Sequence, residues 1–272
     1  MSTGPTNGTT TAGGDATRAI WGGGDYTVIG TRVFSVADDL CELADLRGGQ
    51  RVLDIAAGHG NATLCAARRD TEVTAVDIVP ELLDAARRRL DADGLDATVR
   101  EGNAEALDFP DDSFDVVLSS LGLQFVADQA AASSEARRVC RSGGRIAMAS
   151  WTPFDAWSEL GPLQARYLPP PPDAGSPMVW GTEDGLRGLF GEAADLSLWP
   201  RTFRARAASP QRYVEMMTAT FPPMVRLIAA VDPDAAEHFR RDLLALALRW
   251  NEVDDGSLVL PLTYVVALVV VS

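Results

Sequence analysis

The stretch that most constrains this chain is Arg51 to Thr63, Arg-Val-Leu-Asp-Ile-Ala-Ala-Gly-His-Gly-Asn-Ala-Thr. Arg51 to Ile55 is a short apolar run carrying one acid, Asp54, and predicts a buried parallel strand. Gly58 and Gly60 follow at once, and Asn61 to Arg69 starts a helix. Strand, glycine turn and helix N-terminus in succession make a nucleotide site, because glycine lets the backbone come close to a ligand. A pyrophosphate turn needs Gly or Ala at the sixth position of Gly-x-Gly-x-x-Gly, and Thr63 stands there. Asp54 would also repel a diphosphate. The turn therefore suits a nucleotide-like ligand that carries positive charge.

The same grammar continues downstream. Glu72 to Val76 predicts a second strand closed by Asp77, and Pro80 to Asp91 a helix burying Leu82, Ala86 and Leu90. Thr98 to Glu101, Phe114 to Ser119 and Arg145 to Trp151 predict three more strands. Between the last two, a helix over 127–141 is stopped by Ser142-Gly143-Gly144. Ahead of the turn, Gly30 to Leu46 predicts a helix. Strands alternating with helices imply a doubly wound parallel sheet with right-handed crossovers.

After Trp151 the pattern changes. Pro169 to Pro172 is a polyproline connection, Thr182 caps a helix ending at Phe190, and Leu196 to Arg206 predicts a sixth strand. Two or three helices lie between Pro210 and Trp250, before a last strand over 257–271. The expected fold is α/β, a doubly wound, seven-stranded Rossmann-like sheet with a helical cap inserted before the last strand. Its parts are a disordered tail (1–17), a lid and helix (18–47), a core (48–152), a cap (153–256) and the final strand (257–272).

Charge and cysteine content exclude several functions. Lys+Arg 24 against Asp+Glu 38 leaves −14, which argues against nucleic acid and anionic membranes as partners. Cys41, Cys65 and Cys140 have neither metal nor disulfide spacing and read as buried residues of a reducing cytoplasm. The two histidines are too scattered to join a metal triad, so no metal is expected. Leu258 to Val271, interrupted by Pro261 and Thr263, falls short of the ~18 apolar residues of a membrane helix. No targeting segment is evident, and the protein is read as soluble.

The turn resembles the first motif of class I S-adenosylmethionine-dependent methyltransferases, Asp/Glu-x-Gly-x-Gly-x-Gly, with Ala56 in place of the first glycine. Asn103-Ala-Glu-Ala-Leu-Asp-Phe-Pro-Asp-Asp-Ser-Phe-Asp-Val-Val-Leu118 is similar to the family's third and fourth motifs. Trp21 to Tyr26, the four prolines, Trp180-Gly-Thr-Glu183 and Arg187-Gly-Leu-Phe190 look like a bacterial branch close to quinone-biosynthesis methyltransferases. The resemblance covers nearly the whole chain after residue 18. It implies S-adenosylmethionine as cofactor, held by Asp54, Ala56, Gly58, Gly60, Asp77, Ile78, Asn103, Ala104 and Ser119. Asp77 would take the ribose hydroxyls, for which its place about 20 residues past the turn is suited. Its other reading is a cap for the helix at Pro80. The Asn103 oxygen would accept from the adenine amine in place of the usual Asp, and Tyr26 would fold over the methionine end.

The resemblance further implies methyl transfer to a small-molecule acceptor, aromatic or isoprenoid-like, in secondary or quinone-type metabolism. His59 is the candidate base, whereas His238 reads as part of a solvated helix face. Trp21, Tyr213 and Met217 are expected to line the acceptor pocket. A catalytically silent cofactor-binding relative is the alternative, and a homodimer stays open.

Overall fold

A computed structural model describes residues 12–170, 175–192 and 194–272. Seven strands form one sheet: β1 (Arg51–Ile55), β2 (Glu72–Asp77), β3 (Thr98–Glu101), β4 (Phe114–Ser120), β5 (Cys140–Trp151), β6 (Asp195–Ala207) and β7 (Leu258–Val270). Their order is β3-β2-β1-β4-β5-β7-β6. β1 to β5 are parallel, and β7 runs antiparallel between β5 and β6. Helices α1 (Ala12–Trp21), α2 (Tyr26–Gly30) and α3 (Phe34–Leu43) precede the sheet. Crossovers are α4 (Asn61–Ala67), α5 (Pro80–Asp93) and α6 (Gln129–Val139), followed beyond β5 by α7 (Ala156–Ala165) and α8 (Glu183–Phe190). Between β6 and β7 lie α9 (Pro210–Thr220), α10 (Pro222–Ala230) and α11 (Pro233–Trp250), the inserted cap.

Side chains alternate across the strands, so each face of the sheet feeds its own core. Val52, Val116 and Ala147 pack with Leu40, Leu64 and the cap residues Met224 and Phe239. Leu53, Ile55, Val117 and Ile146 pack with Ala132, Leu186 and Phe190 on the other side. Burial on both faces explains why these strands read as nearly continuous apolar runs. Winding reverses direction between β1 and β4, which opens a crevice at the carboxyl ends of the strands.

Three expectations change. Residues 1–11 lie outside the described residues, and residues 12–17, expected in the tail, belong to α1. Gly13 and Gly14 disguise its start, but Asp15 near its N-terminus and Arg18 near its C-terminus suit the helix dipole, and Arg18 ion-pairs with Glu101. Ser142-Gly143-Gly144 is not the helix stop. α6 ends at Val139, and Phe114 pairs with Cys140 while Val116 pairs with Arg145, so the intervening residues loop out within β5. α7 was unforeseen, because Pro162 sits inside it; Asp155 caps its start by accepting from Trp157 N–H at 2.9 Å. Pro171 and Pro172 of the polyproline connection lie outside the described residues. Among the described residues no helix is long and apolar enough to cross a membrane, and the valine-rich C-terminal run is β7.

Candidate cofactor and acceptor site

The turn after β1 is made of left-handed backbone. Gly58 and Gly60 have φ of +56° and +85°, a region glycine enters without steric cost. A Cβ on Gly60 would also lie 3.0 Å from that of Ala86, so α5 approaches the turn only because none is there. Ala56 shares this backbone, with φ +53°, where an L side chain costs about 1–2 kcal/mol. The replacement of the family's first glycine is therefore tolerated in size but strained in conformation.

Asp77 joins the turn to β2. Its Oδ2 accepts from Gly58 N–H at 2.7 Å and its Oδ1 from Val79 N–H at 2.9 Å. Ile78 N–H also acts on the carboxylate, and of its four lone pairs at least one remains for a ligand. Capping and ligand binding are compatible here. Burial pushes the Asp77 carboxyl above its ordinary range, against the pull of these backbone donors.

Three further polar groups surround the turn. Asp54 Oδ2 accepts from the Thr63 hydroxyl at 2.6 Å, while its Oδ1 is buried without a partner. Burial raises its pKa to about 7; the Thr63 bond opposes this and the Asp77 charge adds to it. The His59 ring lies against Gly30, where a Cβ would stand 2.1 Å from Cε1, and edge-on to Tyr26 at 5.7 Å between centroids. Burial, and after it the Arg89 charge, lower the imidazole to about 4, so it is neutral at pH 7. Arg89 itself donates to the His59 carbonyl at 2.7 Å and to Asn61 Oδ1 at 2.9 Å.

Asn103 offers more than the expected acceptor. Its Oδ1 accepts from Glu105 N–H at 3.0 Å and keeps a second lone pair, and the buried atom left without a partner is Nδ2. The wholly free group is thus a donor, suited to a ring nitrogen. Five buried side-chain polar atoms lack a partner among the described residues, and three of them are Asp54 Oδ1, His59 Nε2 and Asn103 Nδ2. Buried polar groups are normally satisfied, so this concentration around one turn fits a polar ligand there.

Two cavities meet at this place. The first is lined by Ala56, Gly58, His59, Asp77, Ile78, Asn103 and Ala104, with Gly14 and Thr17 of α1 and Ser120 to Gly122 after β4. Asp54 and Gly60 do not line it; they support its wall from behind. Nor does Ser119, whose hydroxyl accepts from Leu123 N–H at 3.1 Å. Alternation along β4 gives the cavity Ser120 instead. The second cavity, about 310 Å³, is lined by Trp21, Trp151, Trp157, Phe203, Tyr213, Met216, Met217 and Phe221 among others. Trp21, Tyr26, Val33, Leu121 and Phe125 line both, forming the partition. Trp21 is its keystone, edge-on to Tyr26 at 5.4 Å and tilted on Phe125 at 4.8 Å.

Residues 53–148 match the family model described as a methyltransferase domain. That likeness to a methyltransferase domain covers about a third of the chain. An uncharacterized protein of Mycobacterium tuberculosis is 42% identical over 176 residues, which are 64% of this chain and 64% of that protein. The match thus spans less than two thirds of such a relative's length. Demethylmenaquinone methyltransferase of Thermus thermophilus is 37% identical over 114 residues, 41% of this chain and 52% of that enzyme. Among solved structures, the YcgJ protein of Bacillus subtilis superposes with a TM-score of 0.59 at 18% identity, covering 87% of this chain and 97% of its own. That likeness is one of fold.

Ala56, Gly58, His59, Asp77, Ile78, Asn103 and Ala104 come together at one cavity, as Trp21, Tyr213 and Met217 do at the other. Tyr26 lines both, and Gly58 lies beneath it: a Cβ there would stand 3.8 Å from the ring. Sequence reasoning missed Phe125, Trp157 and Phe203. Their aromatic character was the available signal, but nothing local ties them to a site. His238 is exposed, and its Nδ1 bonds the Asp234 carbonyl at 2.8 Å, a helix-surface contact.

Proposed function

We propose that this protein transfers a methyl group from S-adenosylmethionine to a small, largely apolar acceptor of aromatic or isoprenoid-like character. One observation carries the reading: a cavity at the carboxyl ends of β1 to β3, into which Asp77, His59 and Asn103 project, shares a wall with an aromatic chamber under the inserted cap. Open α/β sheets bind ligands at that crevice, and an apolar chamber beside it is where an acceptor would lie. The polar side chains present fit the cofactor. The lone pairs left on Asp77 suit ribose hydroxyls, and Asn103 Nδ2 and the Ala104 backbone suit the adenine edge.

When bound, the cofactor would supply an activated methyl that an acceptor nucleophile takes in line, with the bonding pair left on sulfur. The chain's contribution is position and exclusion of water. Tyr26 and Trp21 would cover the methionine end. The Tyr26 hydroxyl, pushed up to about 12 by burial and the Asp77 charge, stays protonated and can only donate or accept, not ionise. His59 is neutral at pH 7 and lines the cofactor cavity but not the acceptor chamber. It suits holding the methionine end, or taking a proton at the partition from an acidic acceptor. The test is incubation with isotopically labelled S-adenosylmethionine and fractionated small-molecule extracts. Label entering an acceptor with equal release of S-adenosylhomocysteine supports the reading. Cofactor binding without turnover against any fraction supports the silent alternative.

A further inference from the structure

On the reading of the aromatic chamber as the acceptor site, we infer that its acceptor is an acid: an aromatic body carrying a carboxylate, held at the mouth by Arg32 and Arg206. The chain has 38 acidic residues, 24 arginines and no lysine, so a charged residue drawn from it is more often an acid. Around this chamber the balance is reversed. Its charged lining residues are Arg32, Arg204 and Arg206, with no Asp or Glu.

The three arginines differ in what they have left to give. Arg204 Nε donates to Glu252 Oε2 at 2.8 Å, so its charge is already answered. Arg206 gives Nη1 to the Arg204 carbonyl at 3.1 Å and has no acidic partner among the described residues. Arg32 shows neither a hydrogen bond nor an ion pair among the described residues. Both are exposed, whereas Tyr213, Met217, Phe221 and Trp151 farther in are buried. They come from separate elements, Arg32 from the 3-10 turn between α2 and α3, Arg206 from near the end of β6.

An apolar chamber with cations only at its mouth sorts ligands by shape. A neutral aromatic gains burial alone, whereas an aromatic acid gains burial plus a planar guanidinium fork matched to its carboxylate. Because the rest of the protein is acidic, the mouth is also where an anion would be drawn. Held by that end, the acceptor would extend its body toward the Trp21–Tyr26–Phe125 partition, where the methyl group would arrive.

The experiment compares 3-phenylpropanoate with 3-phenylpropanamide, which share a body and differ in charge. Binding is read by tryptophan fluorescence, since Trp21, Trp151 and Trp157 line the chamber, with and without S-adenosylhomocysteine. The acid should bind about tenfold tighter than the amide, and the preference should shrink with added salt. Arg32→Gln with Arg206→Gln should bring the acid down to the amide and leave the amide unchanged. Arg88→Gln, exposed on α5 and outside the chamber lining, should change neither. Equal binding of the two probes, a preference that survives the double variant, or no binding of either overturns the inference. S-adenosylhomocysteine affinity, measured separately by calorimetry, reports on the cofactor reading independently of these outcomes.

Discussion

Asp77→Asn is the most informative single change, because it keeps shape and removes one function at a time. In the native turn the carboxylate offers four lone pairs. Gly58 N–H at 2.7 Å and Val79 N–H at 2.9 Å take two, Ile78 N–H adds to them, and what remains is left for the ribose. An amide keeps one oxygen and puts an NH2 where the other stood. That NH2 faces a backbone donor, either Gly58 or Val79, in a residue that is only 7% exposed. A buried N–H without its partner costs about 1–3 kcal/mol of stability. On the ligand side one charge-assisted bond is lost, worth about 1.5–3 kcal/mol, and the other loses its charge. Affinity for S-adenosylmethionine should therefore fall by roughly 10- to 100-fold or more.

Two measurements separate the parts. Calorimetric titration with S-adenosylmethionine and S-adenosylhomocysteine reads the ligand side, and urea unfolding reads the turn. The expected result is a loss in both, with the unfolding slope unchanged, since the exposed surface of unfolding stays the same. An unfolding midpoint that drops while affinity stays within about twofold would mean that Asp77 serves only the turn. The ribose assignment would then be wrong.

Three other outcomes follow from the same geometry. Gly30→Ala places a Cβ 2.1 Å from the His59 ring, so the imidazole must leave; stability should fall by about 1–3 kcal/mol, and adding His59→Ser should restore most of it in a double-mutant cycle. Additive losses instead would show that the ring does not rest on Gly30. Burial raises the Asp54 carboxyl from 3.8 to about 7, so its protonated form stabilises the cofactor-free fold fully below about pH 4, and that gain is lost as pH rises through about 7. The loss is roughly 4 kcal/mol in order of magnitude, and Asp54→Asn should flatten the urea midpoint between about pH 5 and pH 8; an unchanged pH profile refutes it. Tyr213→Ala with Met217→Ala should raise the acceptor KM while S-adenosylhomocysteine affinity holds, and loss of cofactor binding would place α9 elsewhere.

What could be read from the sequence, and what could not, divides along the two cavities for a physical reason. The cofactor cavity is built mainly from short spans at strand ends, where an apolar run, a glycine and an acid must be close in sequence to be close in space. Asp54, Gly58 and Asp77 are legible because β1, β2 and their turns leave no other arrangement. Even there the sequence stops short of orientation. Ser119 and Ser120 are equivalent on paper, and only the alternation of β4 against the sheet decides that Ser120 faces the cavity. Nor does the sequence show that the Glu105 backbone takes one lone pair of the Asn103 oxygen and leaves the amide nitrogen free. The acceptor chamber is different in kind. Its walls come from the end of α1, from α2 and the turn after it, from the segment after β4, from β5, α7, β6 and α9, and from Leu262 on β7, so they converge only after the sheet has closed. Each aromatic among them reads equally well as ordinary core. Met217 and Tyr213 could be guessed because they share a face of one helix, but Phe203 and Trp157 could not. Arg32 and Arg206 show the same limit in charge: among 24 arginines, nothing in the sequence marks these two as lining one chamber whose lining includes no Asp or Glu. Acceptor specificity in such a fold can change through single surface residues while the cofactor turn stays the same, so likeness in the 53–148 region alone says little about which molecule is methylated.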